Sequence, residues 1–302
     1  MTRKNLKHQM LHSIDNAFCP GVKKRDLTPG EREQKTMIMS HQYKHNIRDT
    51  ACDFARYAKE EFGIKMARDL RPEHAQAFLD SKAKHCSPTT LDQYRSRLST
   101  LGDILSDNYG YAINLTTQRS AEPPEAQKMR SIAMDRSHYD KLMEHGNECQ
   151  SKMAIQVAEA FGLRVSELSK LTLGDIKEDV LHIHQSKGGR DRDIEIRTDH
   201  QREVLEAVQA YSKAEAYNDR LFTVQPDSIN KYLHTTLTRL GINEYDEHNT
   251  GIHSVRKMYA TERYDELREA GVSHKEAWGD VSEELGHGRD REDLFRVYVV
   301  HK

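Results

Sequence analysis

No stretch of this 302-residue chain approaches the ~20 consecutive apolar residues that a membrane-spanning helix requires. The first residues, MTRKNLKHQMLHSID, are basic but hold no apolar core, so they do not read as a signal peptide. A cytoplasmic protein with no membrane partner is expected. Cysteine is scarce. Cys19, Cys52, Cys86 and Cys149 form no CxxC pair, which argues against a disulfide framework or a zinc ribbon. The 17 histidines include no HExxH and no Cys/His cluster at ligand spacing, so no metal and no other cofactor is expected. A positive total charge is also missing. The formal net charge is −2, which argues against very tight non-specific binding to nucleic acid. The distribution softens that argument, because residues 1–50 hold ten Lys/Arg against five Asp/Glu while residues 131–302 hold 24 against 32. Phosphate contacts need a local positive face rather than a positive total.

What is present describes a soluble, charge-rich, mainly helical chain, 36% hydrophobic and 31% charged, long enough for two domains. Residues 1–30 place the basic run Lys23-Lys24-Arg25 between two Pro/Gly pairs and read as a short N-terminal helix or arm followed by turns. Such an arm is a candidate contact for DNA or for a second protomer. Residues 31–115 read as a compact bundle of about four helices. Helical periodicity is expected over 31–63, where Ile47, Ala51, Phe54, Ala55 and Ala58 form one stripe. Pro72 and Pro88 each open a further helix, and Gly110 closes the last. Residues 116–130, TTQRSAEPPEAQKMR, have the composition of an interdomain linker. The second domain occupies residues 131–302. Its period changes once, over 180–196, where VLHIHQS and IEIR alternate on either side of Lys187-Gly188-Gly189-Arg190. That is a β-hairpin with a glycine turn. Helices are expected elsewhere, including 200–217, 228–240, 253–270, 274–285 and 292–300. The fold class is therefore mainly α with a small β-hairpin, in two domains, one helical and one mixed α/β.

Four short segments carry the chemistry: GLRVSEL at 162–168, SKGGR at 186–190, HSVRK at 253–257, and LGHG at 285–288 followed by Tyr298. They supply arginines whose planar forks match phosphate oxygens, a phenol that can act as a nucleophile, and imidazole and ammonium groups that can move protons. Taken alone, each segment also has a structural reading. Arg164 and Glu167 form an ordinary i, i+3 pair at a helix start, and His253 and Arg256 share one helix face as many residues do. Lys187 reads equally as a solvated turn lysine, and Tyr298, in YVV, as a core aromatic. His287 and Tyr298 are eleven residues apart, which returns a helix to nearly the same face, but Gly286 and Gly288 interrupt that helix.

In combination and in this order, the segments resemble the tyrosine recombinase family of phage-integrase type over residues 131–302, and more loosely over 31–115, where HCSPTTLDQYRSRLSTLGDIL looks like that family's helical core-binding domain. The resemblance places the family's catalytic residues at Arg164, Lys187, His253, Arg256, His287 and Tyr298, with Glu167 as support. It implies a site-specific recombinase or integrase that cleaves and rejoins DNA through a 3′-phosphotyrosyl intermediate. Tyr298 would be the nucleophile, Arg164 and Arg256 the phosphate clamp, Lys187 the general acid, and His287 a hydrogen-bond partner of the phosphate. Arg190, Arg192 and Lys257 are further candidate DNA contacts. The partners implied are double-stranded DNA clamped between two domains, a tetramer of this chain on two duplexes, and an accessory DNA-bending protein. Three features depart from the usual pattern. Lys257 stands where the family often has a second histidine, the gap from His287 to Tyr298 is a little longer than usual, and only Val299 to Lys302 follow the tyrosine. The alternatives are a type IB topoisomerase-like enzyme that only relaxes DNA, and a catalytically silent DNA-binding homologue.

Overall fold

The computed structural model describes residues 5–22, 27–30, 35–118, 132–184, 186 and 191–301. The chain divides into two compact units, Met1–Ala126 and Gln127–Lys302. In the first unit the described helices are α1 (Leu6–Asn16), α2 (His41–Phe62), α3 (Pro72–Ala83) and α4 (Pro88–Tyr109). Hydroxyl caps set two of their starts: the side chains of Ser40 and Ser87 accept from the N–H groups of Tyr43 and Thr90. Prolines occupy the first helical position of α3 and α4, where a missing N–H costs nothing. Gly110 ends α4 in a left-handed conformation.

Two expectations for this unit need correction. Of the two readings of the N-terminus, a short helix or an arm, residues 6–16 take the helix, and it is not set apart from the bundle. Leu6, Met10 and Ile14 are buried in one core with Ile47, Phe54 and Leu101, so α1 is a helix of the bundle. Helix α2 also begins later than the periodicity suggested. Ile38 is held in extended conformation by a bridge to Phe18, with its N–H on the Ala17 carbonyl at 2.8 Å and its carbonyl accepting from Cys19 at 2.9 Å. Burial of Ile38 in an extended segment wins over local helix propensity, and the Ser40 cap then starts the helix. Most of the expected linker, residues 119–130, lies outside the described residues.

The second unit is helical around one two-stranded antiparallel sheet, β1 (Val180–Ile183) and β2 (Arg192–Glu195). Its helices are α5 (Arg136–His145), α6 (Gln150–Phe161), α7 (Val165–Leu168), α8 (Asp199–Tyr211), α9 (Pro226–Arg239), α10 (Glu244–Glu247), α11 (Ile252–Glu269), α12 (His274–Glu284) and α13 (Phe295–Tyr298). Helix α6 is buried on nearly every side and forms the centre, with α8, α9 and α11 packed around it. Phe161 at its C-terminal end, Leu163 just beyond it and Leu168 of α7 join the same core. A second apolar cluster gathers Tyr259, Tyr264, Trp278, Leu285, Tyr298 and Val299, and this cluster seats the C-terminal segment. The long helix expected over 292–300 is instead a 3-10 turn, Glu292–Leu294, followed by the single turn of α13. Trp278 Nε1 donates to the Arg291 carbonyl at 3.0 Å, which anchors the approach to that turn.

Candidate active site

Helix α6 stops at Gly162, whose φ of +62° is left-handed. A side chain there would also overlap the ring of Tyr259, so both backbone and space require glycine. The turn frees the Gly162 carbonyl, which accepts from the guanidinium of Arg256. It also delivers Arg164 to the N-cap of α7, and the Glu167 side chain folds back to accept from the Arg164 backbone N–H at 2.9 Å.

Glu167 is the hub of the arginine cluster. Its Oε1 lies 2.8 Å from Arg164 Nη1 and 2.9 Å from Arg192 Nη1, and its Oε2 lies 3.0 Å from Arg192 Nη2. Arg256 Nη1 is 3.9 Å from Oε2. Ser186 donates its hydroxyl to Oε1 at 2.6 Å and accepts from Arg164 Nη1 at 3.0 Å. Burial alone would raise the Glu167 carboxyl. The hydrogen bonds and charge of Arg192, the charge of Arg256 and the Arg164 N–H together outweigh it, and the group is held well below the usual carboxylate range.

Arg256 lies one turn into α11. The start of this helix is set by Asn230, whose Oδ1 accepts from the Ile252 N–H at 3.0 Å. Gly251 is what lets Asn230 approach so closely, because a Cβ there would overlap its amide. Arg256 is fully buried and donates to the carbonyls of Gly162 and Leu285. Burial, with the nearby Arg164 charge, lowers its pKa to about 10, so it remains charged at neutral pH.

Tyr298 is 6% exposed. His287 Nε2 is 3.0 Å from its hydroxyl and 3.2 Å from Arg164 Nη2. The ring of His253 meets the Tyr298 ring edge-on at 5.5 Å, and the Arg256 guanidinium lies 5.6 Å from its centroid. The segment is tied to α11 by Val300, whose N–H donates to Thr261 Oγ1 at 3.0 Å. Arg164, His253, Arg256, His287 and Tyr298 line one cavity of about 380 Å³, with Asn230 and His234 on its wall. Two guanidinium groups, two imidazoles and a phenol around one open cavity form a cationic cradle for a tetrahedral anion such as a phosphodiester.

Five of the six residues expected to be catalytic thus meet, and the turns at Gly286 and Gly288 bring His287 to Tyr298 without a continuous helix. Lys187, Gly188, Gly189 and Arg190 lie outside the described residues. Arg192 and Lys257, expected as DNA contacts, both point into the protein. Arg192 turns inward to Glu167 and donates Nε to the Glu284 carbonyl at 2.8 Å. Lys257 is 2% exposed on the inner side of α11, and burial lowers its pKa. The alternation of DRDIEIR carries the signal for Arg192, since it is in phase with the apolar Ile194 and Ile196. Ser186 belongs to the SKGGR segment, but nothing in the sequence singles out its link between Arg164 and Glu167. Although the sequence shows no metal-ligand spacing, His182, His184 and Asp191 are brought together on the hairpin.

A family model described as the phage integrase family matches residues 133–291. The chain belongs to the phage integrase family of tyrosine recombinases. Among solved structures, XerH site-specific recombinase bound to a palindromic difH substrate superposes with a TM-score of 0.64 at 14% identity, covering 97% of this chain and 90% of that one. A lambda integrase tetramer bound to a Holliday junction gives 0.64 at 16%, covering 95% and 79%. A lambda integrase (75–356) dimer bound to a COC′ core site gives 0.62 at 17%, covering 85% and 88%. At these identities the likeness is one of fold. No match was found among curated protein sequences. No helix among the described residues is long and apolar enough to cross a membrane.

Proposed function

We propose that this tyrosine recombinase cleaves and rejoins DNA at specific sites through a 3′-phosphotyrosyl intermediate on Tyr298. The observation that carries this reading is the shared position of His287 Nε2, 3.0 Å from the Tyr298 hydroxyl and 3.2 Å from Arg164 Nη2, in a cavity that Arg256 and His253 also line.

Arg164 and Arg256 clamp the non-bridging oxygens of the scissile phosphate. Negative charge builds there as the phosphorus becomes pentacoordinate, and preorganised donors stabilise it most when the partner has no need to rearrange. Glu167, with Ser186 and Arg192 behind it, fixes Arg164 in that pose. A phenol ordinarily loses its proton near pH ~10, so Tyr298 requires a base as it attacks, and the two imidazoles lie next to it. The P–O5′ bond breaks as the Tyr298 O–P bond forms, and Lys187 protonates the departing 5′-oxygen. One phosphodiester replaces another, so the bond energy is kept and rejoining to a new strand requires no ATP. The first unit serves as the core DNA-binding domain, residues 116–130 as the linker between the units, and the working assembly is a tetramer on two duplexes. The DNA-bound lambda integrase and XerH structures support that reading.

The test is trapping on nicked duplexes from the host element. A protein–DNA adduct that survives denaturation and disappears in Tyr298→Phe supports the proposal. Intact DNA binding with no adduct favours a catalytically silent homologue.

A further inference from the structure

The strand alternation that turns Arg192 inward turns four other side chains outward. His182 is the cross-strand partner of Asp193, and the same register carried one step further sets His184 opposite Asp191. Residues two apart on a strand share a face. The two imidazoles and two carboxylates therefore form a square on the outer face of the hairpin, while Leu181, Ile183 and Ile194 are buried on the inner one.

One ligand-capable atom from each of His182, His184 and Asp191 lies within 4.8 Å of the other two, the one such group found among the described residues. The imidazole centroids are 4.2 Å apart. Each ring also has a carboxylate on one of its nitrogens. His182 Nδ1 pairs with Asp193. His184 Nε2 is 2.8 Å from Asp175 Oδ1, and Asp175 is itself buried and held by the Thr172 N–H and hydroxyl at 2.8 Å each. A carboxylate on one nitrogen fixes the tautomer and ring orientation and makes the other nitrogen a better metal ligand.

We propose that His182, His184 and Asp191 form a binding site for a divalent transition-metal ion, with Asp193 and Asp175 as positioning carboxylates. Two imidazoles and one carboxylate suit Zn²⁺ at distances of about 2.0–2.1 Å, with water completing the shell. Ligand atoms around a tetrahedral ion of that size lie about 3.4 Å apart, so side-chain rotations that close at most about 1.4 Å seat it. The function is a clip. Ser186 follows His184 by two residues, Arg192 follows Asp191 by one, and both hydrogen-bond Glu167. An ion on the outer face joins the two strands where they brace the Arg164–Glu167 pair.

The test uses the full chain, stripped with a chelator and titrated with Zn²⁺ by calorimetry and with Co²⁺ by visible absorption, beside His182→Ala/His184→Ala and Asp193→Asn. The altered side chains face away from the core, and circular dichroism melting in the absence of metal verifies that the fold is kept. The proposal predicts one site per chain, Co²⁺ d–d bands of a four- or five-coordinate ion, and loss of both in the double variant. Asp193→Asn is expected to bind about 10–100-fold more weakly, as for other outer-shell carboxylates. Binding of equal stoichiometry and affinity in the wild type and the double variant would place the ion on other histidines and overturn the proposal. Absence of binding by the wild type at sub-millimolar Zn²⁺ would do the same and leave the His–Asp contacts as simple hydrogen bonds.

Discussion

His287 Nε2 faces two donors at once, the Tyr298 hydroxyl at 3.0 Å and Arg164 Nη2 at 3.2 Å. An unprotonated ring nitrogen offers one lone pair, and a guanidinium can only donate. Without DNA the two therefore compete for one acceptor. On the proposed mechanism, a phosphate that draws Arg164 onto its own oxygen would leave His287 to the tyrosine, so substrate binding would itself prepare the nucleophile. His287→Ala is expected to slow single-turnover adduct formation by roughly 10²–10⁴-fold while leaving DNA affinity nearly unchanged. A loss of affinity with an unchanged cleavage rate would contradict this role.

Glu167→Gln leaves Arg164, Arg192 and Arg256 clustered without their shared counter-charge. Removing one partner of a buried ion pair costs about 3–5 kcal/mol, to be read as a fall in the denaturant midpoint. The pH dependence has a definite sign. The Glu167 carboxyl is depressed in the folded state, so its contribution is complete above the ordinary carboxyl value of ~4.3 and is lost as pH falls toward the folded value. The stability difference between wild type and Glu167→Gln is therefore expected to be largest at neutral pH and to shrink below pH ~4. A difference that stays constant across this range would show that the carboxylate charge does not matter.

Gly162→Ala forces a side chain into a left-handed backbone and into the Tyr259 ring. Strain of about 1–3 kcal/mol is expected from the backbone alone, with the overlap added. Because the Gly162 carbonyl holds Arg256, cleavage is expected to fall more steeply than stability. Melting temperature and adduct yield measured on the same preparation separate the two effects.

Removal of residues 1–17 is expected to unfold the first unit, because Leu6, Met10 and Ile14 lie in its core. Met10→Ala is expected to cost about 2–5 kcal/mol, whereas Lys7→Ala, on the exposed side of α1, changes stability little. Far-ultraviolet circular dichroism of the deletion distinguishes a lost core helix from a lost arm. Retention of native helicity and a native melt would restore the arm reading.

These cases also mark what the sequence makes legible. The long helices and the hairpin of the second unit are readable from a period, a cap or a glycine stop, whereas the helix expected over 292–300 breaks into a 3-10 turn and the single turn of α13. The meeting of Arg164, His253, Arg256, His287 and Tyr298 is readable only through their order in a known family, since no local rule joins residues more than a hundred positions apart. What escapes is set by tertiary packing. Ile38 is extended because it pairs with the α1 end, and α1 belongs to the core because α2 and α4 cover it. Arg192 shows the opposite case. Its inward direction is written in the alternation with Ile194 and Ile196, but a charged residue beside a glycine turn invites a DNA role unless that phase is followed.

The most direct measurement is covalent trapping on nicked duplex DNA, with wild type, Tyr298→Phe and Arg164→Ala run together. The account predicts a denaturation-resistant adduct in the wild type, none in Tyr298→Phe, and a strongly reduced yield in Arg164→Ala, with the DNA attached through its 3′-phosphate. An adduct of undiminished yield in Tyr298→Phe, or one attached through a 5′-phosphate, would contradict it.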